Sequence, residues 1–215
     1  MAWKNFDWLE AEKNIFASEV EEVILPLYRG AMERIAEWKK HSQAEYEAAV
    51  GQAKDDWALI DAQGNAAWQD TRYDEQEQAI GSLALHHLCT ALKVALTDAT
   101  RFFRQSHPRA AQGYSGKHWL ARLRNEYRER FGIDFERAPV PIERIEELAL
   151  ARNAGLHWES DALREYEEKV SKPRFLKFEV VVVSQDKLDA AIADARAFLG
   201  WAVDQLKLLA RPQRP

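Results

Sequence analysis

Arg152-Asn153-Ala154-Gly155-Leu156-His157 closes a segment in which a helical apolar stripe is interrupted by a reactive trio. Just upstream, Pro139-Val140-Pro141 makes a stiff turn, and Pro141 is placed to open a helix at its first position. Glu143, Glu146 and Glu147 then fall in the first turns, where negative charge complements exposed backbone amides. At about 100° per residue, Ile142, Ile145, Leu148, Ala149 and Leu156 form one stripe, with Arg152 in its middle. A guanidinium in that position must be paired, hydrogen-bonded or open to a cleft, because an unpaired buried charge costs several kcal/mol. Asn153 and His157, four residues apart, share the strip at the edge of the apolar face. A cation, an amide and an imidazole at the border of core and solvent suit the handling of a phosphate. The bland alternative is an arginine bridging helices and a histidine closing a helix end.

The spacing is informative only because of the asparagine. With 18 Arg and 6 His in the chain, an Arg followed by a His four to six residues on arises by composition alone. Two cases occur, Arg101 with His107 and Arg152 with His157. Requiring Asn directly after Arg lowers the chance expectation to roughly 0.035 and leaves Arg152 alone. Gly155 is costly inside a helix, by about 1 kcal/mol relative to alanine, so a break before His157 fits the pattern. Such a break matters, because on a straight helix Arg152 and His157 point about 140° apart. They converge if the helix ends, or if a second subunit completes the site.

The stretch from Ile145 to His157 resembles the motif helix of the HEPN superfamily, whose signature is an Arg-Asn pair followed by His in a compact helical bundle. The likeness extends less specifically over about residues 75 to 210, through an apolar segment at Phe178 to Val183 and a closing amphipathic helix from about Gln185. What it implies is an all-α, up-and-down bundle with one short β strand or hairpin before the last helix. It implies a metal-independent endoribonuclease, with Arg152, Asn153 and His157 as catalytic residues and no cofactor. His157 would be general acid or base, Arg152 would stabilise charge on the scissile phosphate, and Asn153 would orient His157 or the phosphate. The resemblance further implies a homodimer and a place among toxins or antiviral effectors with an antitoxin or other protein partner. Family members without catalysis serve as binding or scaffold modules for protein or RNA, the alternative function expected here.

Length and composition agree with a folded protein: 215 residues suffice for a substantial core, with 47% hydrophobic and 30% charged residues. The expected organisation is an N-terminal helical extension over residues 1–70 packed on the core, a bundle over 71–210, and a disordered tail at 211–215. A lone Cys89 excludes an internal disulfide and suits a reducing, cytoplasmic compartment. The N-terminus carries acids where a signal peptide has an apolar core. The longest uncharged stretch, Ala79 to Leu92, is too short to span a bilayer, so no membrane association is expected. Three of the eight tryptophans (Trp3, Trp8 and Trp38) fall in the first 40 residues and call for burial in the core or against a partner.

Read in order, the chain predicts a helix from about Phe6 to Trp38, kinked or divided near Pro26, and a second from Ser42 to Ala62 ending at Gln63-Gly64-Asn65. A third runs from Tyr73 to Phe103 and is broken at His107-Pro108. A loop at Gly113 to Gly116 and a fourth helix over Lys117 to Phe131 precede the motif helix, which ends near His157 or continues through Glu165. Phe178 to Val183 reads as a strand whose partner is Ile133 to Val140 or the same strand of another protomer. Residues 101–137 hold nine Lys/Arg against four Asp/Glu, a local excess of +5 in a chain of net charge −5. That suits an RNA-contacting surface of Arg122, Arg124 and Arg128 with Trp119 for stacking, or a solvated face paired with acids elsewhere. His86, His87 and Cys89 lack the spaced partners of a zinc site and are expected in the core or, for one histidine, exposed; no metal site is expected.

Overall fold

The computed structural model describes residues 2–106, 118–156, 160–177 and 179–210. His157, the break at 107–108, the loop at 113–116, Phe178 and the tail at 211–215 therefore lie outside the described residues. The architecture is an all-α bundle with a two-strand hairpin before the last helix, as the sequence predicts. Helix α1 (Ala2–Ser18) passes through a π turn (Glu19–Ile24) into α2 (Leu25–Gln52), which a short turn joins to α3 (Asp56–Ser106). Then come α4 (Trp119–Phe131), a 3-10 turn (Phe135–Arg137), α5 (Ile142–Leu156), α6 (Ser160–Lys169), β1 (Leu176–Lys177), β2 (Val180–Val181) and α7 (Gln185–Ala210).

The second half of α3 is the axis of the fold, touching α1, α5 and α7 and carrying the fully buried Leu85, Leu88, Leu92 and Leu96. From α7 come Leu188, Phe198, Leu199 and Val203, from α5 Ile145 and Leu148, and from α1 Leu9 and Phe16, all in one buried cluster. An aromatic chain closes one end, with Tyr127 and Phe198 each 4.9 Å from Phe135 between ring centroids. One stretch of α3 is long and apolar enough to cross a membrane by length and composition. Half of it is buried inside the bundle, which is the pattern of a core helix.

The N-terminal third departs from the sequence expectation. The helix does not divide at Pro26; a π turn absorbs the missing donor instead, with the Leu25 amide bonded five residues back to the Val20 carbonyl. Gln63-Gly64-Asn65 is no loop but lies within α3, and the chain reverses earlier, between Gln52 and Asp56. The expected boundary at residues 70 and 71 also falls inside this helix. The physical reason is a heptad seam. On α2, Tyr28, Met32, Ile35, Lys39, Ser42 and Tyr46 are turned inward; on α3, so are Leu59, Ala62, Ala66, Gln69, Tyr73, Gln76 and Ile80. Both sets alternate steps of three and four, so α2 and the first half of α3 pack as an antiparallel coiled-coil stalk, and that packing outweighs the helix penalty of Gly64.

The strand expectation also needs correcting. Val180–Val181 pairs antiparallel with the immediately preceding Leu176–Lys177, in the register Leu176 to Val181 and Lys177 to Val180. A hairpin two residues wide closes at less entropic cost than a pairing with Ile133 to Val140 some 40 residues away. That earlier segment instead makes the 3-10 turn, capped by the Asp134 side chain, with Phe135 fully buried. Gly132, at φ 66°, ends α4 with a Schellman-type pair of bonds to the Arg128 and Tyr127 carbonyls.

Candidate functional site

The site is set by how closely α5 approaches α3. Along this antiparallel contact Gly155 faces Ser82, Arg152 faces His86, and the Leu148 carbonyl faces Cys89. A Cβ on Gly155 would lie 2.5 Å from the Ser82 oxygen, so the glycine that looks costly in sequence is what permits the approach. Helix α5 is described as far as Leu156 and α6 from Ser160, and residues 157–159 between them lie outside the described residues.

Arg152 is half-buried and meets no carboxylate among the described residues. Its Nε donates to His86 Nδ1 at 3.0 Å and its Nη1 donates to Asn153 Oδ1 at 2.8 Å. Nη2 has no hydrogen-bond partner among the described residues. A full positive charge is thus oriented by two neutral acceptors and keeps one edge open, which is the geometry for an incoming oxyanion. His86 is pushed below its ordinary pKa first by burial, then by the Arg152 charge and by His87. With Nδ1 accepting, the neutral ring carries its proton on Nε2. The His87 ring stands edge-on, 6.0 Å away between centroids. Cys89, fully enclosed, is pushed up to about 12 by burial, so it is a thiol and no nucleophile near neutral pH.

His86 and His87 also line a cavity of about 300 Å³ between α1 and α3, together with Glu12, Phe16, Thr90 and Val94. A smaller hollow of about 100 Å³ lies across Ser82, Gly155 and Val181. No group of His, Cys, Asp or Glu among the described residues is arranged to hold a metal ion.

Of the expected site residues, the structure brings Arg152 and Asn153 together, while His157 lies outside the described residues. Helix α4 carries the expected RNA-contacting residues elsewhere: Tyr127 bonds the Leu96 carbonyl, ten residues along α3 from His86, or roughly 15 Å of helix. Arg122 and Arg128 are exposed there. Arg124 pairs with Glu136 and, at 3.6 Å, with Glu146, and Trp119 packs half-buried on the core. Sequence reasoning missed His86. The available signal was one polar interruption in each of two apolar stripes, His86 beside Leu85 and Leu88, and Arg152 between Leu148 and Leu156. It also passed over Glu12, an acid on the buried face of α1 between Leu9 and Phe16.

A second polar cluster is saturated and reads as a clasp. Glu147 accepts from the Tyr166 hydroxyl at 2.9 Å and the Arg174 amide at 2.6 Å, while Arg174 Nη1 reaches Asp194 at 2.7 Å. Arg144 completes it on Asp194 at 3.2 Å. These bonds tie α5, α6 and α7 to the entrance of the β hairpin. Compared with known proteins, the chain matches no family model, no curated protein and no solved structure.

Proposed function

We propose that this chain is a metal-independent endoribonuclease of HEPN type, acting as a homodimer. The observation that carries the reading is Arg152: a half-buried guanidinium with no carboxylate among the described residues, oriented by Asn153 and His86, with Nη2 left open. An arginine that serves only packing is ordinarily neutralised by a buried acid, as Arg174 is by Glu147 and Asp194 here. In the reaction, Arg152 holds the scissile phosphate and stabilises the charge that grows on its oxygens. His157, the residue that follows the described part of α5, moves the proton of the attacking 2′-hydroxyl or of the leaving oxygen. Asn153 acts on Arg152, accepting from it and fixing its plane. His86, kept neutral, holds the same guanidinium from the opposite helix.

Incubation of a mixed RNA pool with EDTA present, comparing wild type with His157→Ala and Arg152→Ala, tests the reading. Cleavage by wild type alone supports it, and equal cleavage by all three overturns it. A strict monomer at micromolar concentration in sedimentation would count against a composite site. A second reading, a non-catalytic module for a protein or RNA partner, is favoured by one observation. Trp8, Trp38, Trp57 and Trp68 all lie on the N-terminal helices with 42% or more of their surface open, the exposure expected of a contact face. In that case His157→Ala leaves a pull-down unchanged and Trp57→Ala with Trp68→Ala weakens it.

A further inference from the structure

The cavity between α1 and α3 holds a group that the ribonuclease reading does not use. Glu12 is 3% exposed, and no described residue donates a hydrogen bond to it or pairs with it. Burial, and then the neighbouring Asp98 carboxylate, push its pKa above the ordinary range. Its carboxyl lines the cavity with little surface open and no donor among the described residues, so a cation entering the cavity would meet an acid that no described side chain has answered.

The cavity around it has a definite chemistry. Its walls are apolar, from Ile15 and Phe16 on α1 and Ala91, Val94 and Ala95 on α3. Glu19, two helical turns further along from Glu12, adds a second acid to the lining, and Thr90 and His87 add polar groups from α3. At the other end His86 accepts from Arg152 and is held neutral. From His86 to Ala95 the cavity follows nine residues of α3, roughly 13 Å of helix. Glu12 with the neighbouring Asp98 thus makes one end acidic, and a mostly apolar wall separates it from the Arg152–His86 pair beyond the other.

We infer that this cavity is a binding site for a small primary amine, its ammonium seated on Glu12 and its apolar stem lying along Phe16, Ala91 and Val94. An ammonium supplies the donors Glu12 lacks and offsets the mutual repulsion of Glu12 and Asp98. A neutral alcohol of the same length fills the channel without answering the charge, and a carboxylate is repelled. The site stands independently of the ribonuclease reading, since neither His157 nor the open edge of Arg152 takes part.

The test is titration of the full chain with n-hexylammonium, 1-hexanol and hexanoate, followed by calorimetry and by backbone amide shifts at Phe16, Thr90 and Val94. The expected result is saturable binding of the ammonium, at least about tenfold weaker binding of the alcohol, and none of hexanoate. Glu12→Gln, nearly the same shape, should lose at least about tenfold in ammonium affinity while leaving the alcohol unchanged. Val94→Trp, at a half-exposed wall position, should block all ligands without disturbing the buried core. Equal binding of ammonium and alcohol, unchanged affinity in Glu12→Gln, or no saturable shifts at these amides would overturn the assignment.

Discussion

Helix α3 lives in two environments, and the contrast between its halves explains where the molecule is rigid and where it is available. From Leu85 to Leu96 it is the core of the bundle, packed with leucines that are 1% exposed or less. From Asp56 to about Ile80 it is one side of a stalk whose seam is broken by polar residues. There Ser42 bonds Gln69, Lys39 reaches Asp74 and Glu77 at 2.9 Å each, and the Gln76 carbonyl is buried with no partner among the described residues. A seam in which ion pairs and small residues alternate with partly buried apolar ones contributes less stability per turn, whereas each fully buried leucine contributes on the order of 2 kcal/mol. The Arg152–His86 pair sits on the rigid half, where packing holds its geometry. The exposed Trp57 and Trp68 sit on the other, with Arg72 4.8 Å over the Trp68 ring.

The sharpest way to break the rigid half is to open a cavity in it. Leu88→Ala should cost about 2–5 kcal/mol, read as a drop in global melting temperature, whereas Leu59→Ala in the stalk should cost far less. Equal losses at both positions would erase the distinction. Next in size is Tyr166→Phe, which strips Glu147 and the Phe175 amide of a shared hydroxyl; about 1–3 kcal/mol should be lost on chemical denaturation.

Gly155→Ala tests whether the α3–α5 approach positions the site. Overpacking against Ser82 should cost about 1–3 kcal/mol and, in the ribonuclease reading, remove activity beyond what the stability loss explains. Adding Ser82→Gly should restore both. The stalk responds in the opposite direction, because a Cβ on Gly64 meets nothing within 4 Å. Gly64→Ala should therefore stabilise it by about 0.5–1 kcal/mol, seen as slower amide exchange in residues 56–75.

The smallest effect is one of pH. Glu12 has its folded pKa raised, first by burial and then by Asp98, so the folded state binds the extra proton and stability falls as pH rises from the ordinary carboxyl range through the raised value. Glu12→Gln removes that slope: the variant should be the more stable at neutral pH, and the gap should close on acidification. A gap that widens in acid would mean that Glu12 has a partner.

Much of the bundle was legible because its signals are local. The stripe Ile142, Ile145, Leu148 and Ala149 predicts α5 within a residue of its observed start, and Leu188, Ile192 and Leu199 predict the buried face of α7. The stalk was illegible for the converse reason. Its apolar seam positions are interrupted by Lys39, Ser42, Gln69 and Gln76, residues a hydropathy pattern counts as surface, so Gly64 beside Asn65 outweighed them. Of the tryptophans expected in the core or against a partner, Trp8 and Trp38 are not in the core of this chain, with 42% and 45% of their surface exposed.

By itself, the sequence determined an all-α protein, the motif helix from Ile142, and the anomaly of Arg152 in an apolar stripe, because helical periodicity and chain-breaking residues act over a few positions. Only the tertiary structure decided that Arg152 answers to His86, that Gly155 permits their meeting, and that Glu12 faces a cavity. Those contacts join residues 66 and more positions apart, and which polar side chains meet across packed helices depends on the register of the packing, which no local pattern encodes.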